Sequence, residues 1–410
     1  LMDPHPTEPP DLAELDRRLD ETVKWWRRWS SRARLGGPFG EAAVRSAMVL
    51  KALTNAPTGA MVAAPTTSLP EVIAGPQNWG YRYSWVRDST IAARSLAELG
   101  REEEADGFRR FVERTSAGHA EDVQVVFGVG GERRLTEFTL DELEGYRGSR
   151  PVRIGNAAAT QVQLDVYGHL LDLAWRWHAR GHSPDDDYWR FLVGLAEDAA
   201  HRWREPDRGI WEERGKPRHF VHSKVMCWVA LDRGIRMARE SGRRAPAPTR
   251  TWARARDEIR AAVEGQGYDV RRGIFVRWFG GRDVDAALLL LPMVGFVDYD
   301  DDRMVRTTDA VMEKLDAGGL LRRYRASRTS PAEGAFLACA FWLVECLARQ
   351  GRVEQARDVF DQAIATGNDL GLFSEMYDLE RGEMTGNFPQ GLTHLSHIAA
   401  AVALTEAGST

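Results

Sequence analysis

Between residues 41 and 406 the chain repeats a helical period in twelve segments, and the links between those segments alternate in chemical character. Apolar residues recur at three- and four-residue intervals near 41–54, 87–98, 102–115, 156–180, 187–203, 222–241, 251–265, 284–292, 302–315, 333–349, 353–366 and 391–406. The links before the third, fifth, seventh, ninth and eleventh segments are plain: "LGREE", "GHSPDDD", "ESGRRAPAPTR", "VGFVDYDDD" and "RQGR". Those before the even-numbered segments are rich in aromatic rings, Arg, Glu and Gly: "NWGYRYSWVRD", "GYRGSRPVRIGN", "GIWEERGKPRHFVH", "GIFVRWFGGRDVD", "LLRRYRASRTSPAEG" and "GLFSEMYDLERGEMTGNFPQ". Helices that run alternately up and down bring every second link to one end, and function concentrates on loops carried by a rigid scaffold. The pattern predicts an all-α closed ring of six helical hairpins, an (α/α)6 barrel with one active face. A small β-hairpin insertion is expected at 121–140, where two strand-like runs flank the Gly-rich "GVGGE". The division expected is a connector helix in 1–34, centred on 12–33, followed by the barrel in 35–410.

The richest link, "GPQNWGYRYSWVRDST" at 75–90, has neither helical nor strand period. It sets Trp79, Tyr81, Tyr83 and Trp85 around Arg82 and ends on the pair Arg87-Asp88. Flat apolar faces beside a charged pair suit a sugar ring, which needs a surface to stack on and partners for its hydroxyls. A loop pinned by aromatic anchors would leave the same trace.

Composition removes several classes of function. A net charge of −5 with signs interleaved, as in "REEEADGFRRFVER", gives no electrostatic case for nucleic acid or an anionic membrane. No apolar run approaches the ~20 residues of a membrane span, and "LMDPHPTEPPDL" lacks the features of a signal peptide. Cys227, Cys339 and Cys346 lie in apolar helical segments and read as buried thiols of a cytoplasmic protein. No cofactor motif is present: "GVGGE" is followed by no P-loop lysine and reads as a turn. His394 and His397, and His219 and His222, lack the further ligands a metal needs.

Two rich links set a Glu among aromatic or apolar neighbours, Glu212 in "GIWEERG" and Glu375 in "GLFSEMYD". Such surroundings resist ionisation and raise a carboxyl toward the range of a general acid. Glycoside hydrolysis uses two carboxyls, one to protonate the leaving oxygen and one to activate water or attack. A helix N-terminal carboxylate would look the same at either position alone. The acidic run "DYDDD" at 298–302 would be the proton donor of a terpene-cyclase-like helical barrel. It sits on a plain link just before a helix and reads better as an N-cap cluster.

The chain resembles the bacterial branch of glycoside hydrolase family 15, the glucoamylase, trehalase and glucodextranase group. The resemblance runs from "RSAMVLKALTNAPTGAMVAAPTTSLPE" through "NWGYRYSWVRD", "RPVRIGNAAATQ", "GIWEERGKPRHFVHSKVMCWVALDR" and "EGAFLACAFWLVECL" to "GLFSEMYD" and "GNFPQGLTHLSHI". It implies an (α/α)6 barrel and an inverting, exo-acting hydrolase that frees glucose from the non-reducing end of an α-glucan or α-linked disaccharide. It implies Glu212 as the general acid, protonated at rest, and Glu375 as the general base, ionised at rest. Arg87, Asp88, Tyr81 and Trp85 would grip the terminal glucose, with Trp211, Glu213, Arg323 and His394 as further substrate contacts. Three departures stand out. Gly80 replaces a usual Asp and is expected to loosen its loop, Met376 replaces a frequent Glu, and the β-sandwich that usually precedes the barrel is not recognised. They motivate a second reading, a catalytically weak carbohydrate-binding or scaffold member of the same fold.

Overall fold

The computed structural model describes residues 10–32, 35–116, 118–240, 247–325 and 333–408. Among them are twelve α-helices: α1 (Leu12–Ser30), α2 (Gly40–Leu53), α3 (Val86–Glu98), α4 (Glu102–Thr115), α5 (Asp165–Ala179), α6 (Asp186–Arg202), α7 (Val221–Glu240), α8 (Thr249–Gln266), α9 (Asp302–Leu315), α10 (Leu337–Arg349), α11 (Val353–Ile364) and α12 (Gly391–Ala407).

Burial sorts them into two layers. Every residue of α10 from Leu337 to Ala348 is buried, as a helix walled in on all sides requires. In α11 only Ala356, Val359, Phe360 and Ala363 are buried, one stripe at three- and four-residue spacing. The inner layer is a closed ring in which α3 packs on α5, α5 on α7, α7 on a 3-10 segment (Ala286–Leu290), that segment on α10, α10 on α12, and α12 on α3. Outside it, α2 lies against α12, α4 against α3, α6 against α5 and α7, α8 against α7, α9 against the 3-10 segment, and α11 against α10. This is the (α/α)6 barrel that the alternating links predict.

Three details differ from the sequence reading. The eighth helix, expected at 284–292, is only the 3-10 segment. Asp285 caps it by accepting from the Ala287 amide, and Pro292 has no N–H to extend the ladder past it. The strand-like runs of 121–140 do not pair with each other. Val126–Phe127 pairs with Ser84–Trp85, and Phe138–Leu140 forms the small inserted hairpin with Val152–Ile154. Between the runs Gly128 N–H donates to the Glu132 carbonyl, so "GVGGE" is a turn. The helix expected from 156 starts at Asp165, after a 3-10 turn (Ala157–Thr160) capped by Asn156.

Helix α1 meets the barrel through its last turn, where the Trp29 indole donates to Glu104 at 3.0 Å and lies under Arg101. Residues 1–9 and 33–34 of the expected connector lie outside the described residues, as do 241–246 and 326–332 of two links. No helix among the described residues is long and apolar enough to cross a membrane.

Candidate active site

Five of the six rich links supply residues to two adjoining chambers, and the other, 273–285, backs them through Asp285 on Trp211 and Arg277 on Glu213. The inner chamber, about 410 Å³, is lined by Tyr81, Trp85, Arg87, Asp88, Trp211, Glu212, Arg323 and Glu375 among others. The outer one, about 770 Å³, shares Tyr81, Trp211, Glu212 and Arg323 and adds residues from 156–161 and Glu213.

The inner wall begins with the loop that enters α3. Ser84 and Trp85 pair with Val126–Phe127, which fixes the loop before the helix starts. Trp85 is buried, and its indole N–H donates to Glu212 Oε1 at 2.5 Å. Arg87 bonds to Asp88 Oδ1 at 2.8 Å and to the Ile210 carbonyl at 2.5 Å, and its Nη1 lies 3.9 Å from Glu212 Oε1. Burial works against the Arg87 charge, but Asp88 and Glu212 outweigh it and hold the guanidinium above its ordinary pKa.

Glu212 sits on a turn between α6 and α7 with φ at +58°, in the left-handed region that L residues rarely occupy. Amides on either side close the turn: Glu212 N–H donates to the Gly209 carbonyl and Glu213 N–H to that of Arg208. Strain of this kind costs on the order of 1–3 kcal/mol and is retained where the side chain must point one way. Here it points into the cavity. Burial raises the Glu212 pKa, and the Arg87 charge and the Trp85 hydrogen bond pull it part of the way back. Its neighbour Trp211 donates to both oxygens of Asp285, at 2.9 and 3.0 Å. Glu213 pairs with Arg277, whose Nε is 3.1 Å from Asp285.

Glu375 comes from the far end of the chain. Its carbonyl accepts from the Leu337 amide, and the strand that follows it (Met376–Asp378) pairs with Ala335–Phe336 and Glu383–Thr385. The Tyr81 hydroxyl donates to its Oε1 at 2.7 Å. Burial, and then the charge of Glu71, raise the Glu375 pKa, while Arg323 and Tyr81 oppose the rise. Both carboxyls of the expected pair are therefore pushed toward the protonated form. For Glu375, burial and Glu71 thus work against the ionised form that was expected.

The expected contacts divide. Tyr81, Trp85, Arg87, Asp88, Trp211 and Arg323 line the inner chamber with the two Glu, and Glu213 lines the outer one. His394 does not reach either. It is wholly buried in α12, with Nδ1 2.8 Å from Ser46 Oγ and Nε2 accepting from the Phe373 amide at 3.2 Å. His397 shares the same Ser46 hydroxyl at 2.9 Å. These two histidines join α12 to α2, a packing role that the motif "GLTHLSHI" does not distinguish from ligand binding.

Sequence reasoning missed Glu71, Gln77, Asp285, Arg277 and Gly386. Glu71 and Glu333 both pair with Arg323, and Gln77 donates to Glu333 at 2.9 Å. A Cβ on Gly386, whose φ is +79°, would lie 3.1 Å from Glu375 Cβ, so only glycine lets that strand pass. The signal was present: Arg277, Asp285 and Gly386 fall within the rich links, and Glu71 ends "TTSLPE".

Gly80 has a different reason from the one expected. A Cβ there would meet the Gly155 carbonyl oxygen at 2.8 Å, and the Gly80 carbonyl accepts from Asn156 Nδ2 at 3.0 Å. The glycine permits a close approach of two loops and does not loosen either. None of Asp298–Asp302 lines a chamber, and Asp301 caps α9 by accepting from the Arg303 amide, which removes the terpene-cyclase reading. Among the described residues no group of three or more His, Cys, Asp or Glu is placed to hold a metal.

Comparison with known proteins agrees with this architecture. The sequence model of the family "Glycosyl hydrolases family 15" matches residues 37–402. The chain is 42% identical to the trehalase of Mycolicibacterium smegmatis over 97% of its own length and 60% of that protein's. It is 39% identical to the trehalase of Thermoplasma acidophilum, over 95% of this chain and 67% of that one. The chain thus spans about 60% of the mycobacterial relative. A bacterial glucoamylase complexed with acarbose superposes with a TM-score of 0.74 at 15% identity, covering 96% of this chain and 60% of that chain.

Proposed function

The chain belongs to glycoside hydrolase family 15, and on that premise we propose that it is an inverting, exo-acting α-glucoside hydrolase whose acid is Glu212 and whose base is Glu375. The observation that carries the reading is the facing of two carboxyls, the buried Glu375 and the half-buried Glu212, onto one cavity, each held by a donor from the same loop. Trp85 N–H holds Glu212 and Tyr81 O–H holds Glu375.

The terminal glucose occupies the inner chamber, gripped by Arg87 and Asp88 and flanked by Trp85 and Trp211. Glu212 gives its proton to the glycosidic oxygen as the bond to the anomeric carbon breaks. A water attacks that carbon from the opposite side, and Glu375 takes the proton the water loses. One water is consumed, and the net proton moves from Glu212 to Glu375; exchange with solvent restores both. Excluding bulk water strengthens each of these contacts.

Trehalose is the first substrate to test, because the curated relatives quoted above are named trehalases. The outer chamber, with Glu213 and Gln161, would take the leaving sugar. Three buried free thiols, Cys227, Cys339 and Cys346, suit a reducing cytoplasm. The test is release of glucose from trehalose, maltose, isomaltose and maltooligosaccharides, with NMR of the first-formed sugar. An α-linked substrate is expected to give β-glucose. Trehalose is then expected to give one β-glucose from the attacked sugar and one α-glucose from the leaving sugar; two α-glucose would overturn the inverting mechanism, and saturable binding without turnover would overturn the hydrolase.

A further inference from the structure

Arg323 is surrounded by more carboxylates than it can neutralise. Its Nη2 lies 2.6 Å from Glu71 Oε2 and 2.8 Å from Glu333 Oε2, and its Nε donates to Glu333 at 3.1 Å. Glu375 lines the inner chamber beside the same guanidinium. Glu71 and Glu375 are 2% and 3% exposed, so water screens neither. Each also has one buried oxygen, Glu71 Oε1 and Glu375 Oε2, with no hydrogen-bond partner. Two buried acceptor oxygens without donors, in a pocket with one cation and three carboxyls, make it costly for all three carboxyls to be ionised at once.

We infer that Glu71 is a positioning residue for the proposed base: anchored on Arg323, it keeps a negative charge beside Glu375 and so sets the lower pH limit at which Glu375 can accept a proton. The inference rests on the reading of Glu375 as base. The charged and titratable groups around Glu375 are Glu71, just after the strand Thr67–Pro70 and ahead of the first rich link, Tyr81 within that link, Arg323 and Glu333 from the segment before α10, and Arg87, Asp88 and Glu212 across the chamber. The first turn of α12 adds only the uncharged Gln390. Of the neighbouring charges, Glu71 acts on Glu375 most strongly and Glu333 more weakly, both raising its pKa. A group that interacts this strongly titrates with its partner as a pair.

The test compares Glu71→Gln, Glu71→Asp and Glu333→Gln in the full chain. Removing the Glu71 charge is expected to lower the acid limb of the kcat/KM profile by about one pH unit. Glu71→Asp keeps the charge and is expected to keep the limb, which separates charge from packing. Glu333→Gln also removes one Arg323 partner but is expected to shift the limb less. The second readout is the Glu375 carboxyl itself, titrated by 13C NMR on Glu-labelled protein and assigned with Glu375→Gln. An unmoved Glu375 titration in folded Glu71→Gln overturns the inference, and so does an equal shift in Glu333→Gln. If the wild type hydrolyses no α-glucoside, the proposed function fails while the carboxyl titration still decides whether Glu71 governs Glu375.

Discussion

The hydroxyl of Tyr81 and the carboxyl of Glu375, 294 positions apart, meet in a 2.7 Å hydrogen bond. A donor of this kind favours the ionised carboxyl, so it opposes the rise that burial and Glu71 impose. In Tyr81→Phe that support is gone and the Glu375 pKa climbs further. The acid limb of the pH–rate profile is expected to move to higher pH, opposite in sign to the effect of Glu71→Gln. Turnover at the optimum is expected to fall about tenfold, the worth of one hydrogen bond to a charged group.

Trp85 stands in the same relation to Glu212. Its N–H lowers the Glu212 pKa against burial, so Trp85→Phe is expected to let the acid keep its proton to higher pH. The alkaline limb then extends upward, and kcat drops roughly ten- to hundredfold as the carboxyl loses its anchor. A profile whose alkaline limb does not move would take Glu212 out of the acid role.

Glu212→Gln and Glu375→Gln change shape little and remove the transferable proton or its acceptor. Each is expected to lower kcat about 10²–10⁴-fold with an unchanged circular dichroism spectrum. Retained turnover in Glu212→Gln would point to Glu213, which shares the turn.

Buried histidines make the fold sensitive to acid. Burial lowers the pKa of His222 and His397 from 6.5 to about 4 and that of His394 to about 3. The unfolded chain takes up protons below about pH 6.5 and the folded one does not, so stability is complete above that pH and declines as pH falls toward 4. The loss is on the order of 3 kcal/mol for each fully expressed shift of this size. Melting temperature is expected to fall steadily from pH 7 to pH 4. A flat curve over that range would mean that these rings are charged or hydrated in the folded protein.

Gly80→Asp restores the residue that the family resemblance leads one to expect and tests why it is absent. Its Cβ would press on the Gly155 carbonyl oxygen at 2.8 Å, a backbone atom that cannot move aside cheaply. The substitution is expected to destabilise by about 1–3 kcal/mol, read as a lower denaturant midpoint. Unchanged stability would show that the 155–156 segment gives way.

The ring was legible because its two layers leave different marks. Inner helices such as α10 are apolar all round, outer ones such as α11 carry one stripe, and the links preceding the inner set hold the polar chemistry. Glu212, Glu375 and the 81–88 wall follow from the same marks. His394 could not be resolved this way: a histidine bonded to Ser46 inside a seam and one facing a ligand have the same one-letter neighbourhood. Glu71 was hidden because its importance comes from Arg323, 252 positions away, and no local pattern records that meeting. The pairing of Val126–Phe127 with Ser84–Trp85 escaped for the same reason, since nearby strand-like runs suggest a hairpin by proximity alone.

The seam where α12 meets α2 and α3 joins segments from opposite ends of the ring, through Ser46, His394 and His397, and through the Gly391 amide on the Ala63 carbonyl at 2.7 Å. During synthesis Tyr81 leaves the ribosome 294 residues ahead of Glu375, an interval on the order of 15–60 s at ordinary rates of elongation. Throughout it the growing chain is an open arc with two unpartnered edges, and it carries at most one of the two proposed proton-handling carboxyls. On the proposed roles a chain that stops short of Glu375 lacks its base, and the apolar edges stay uncovered until α12 is in place. Loss of α12 would leave the arc permanently open.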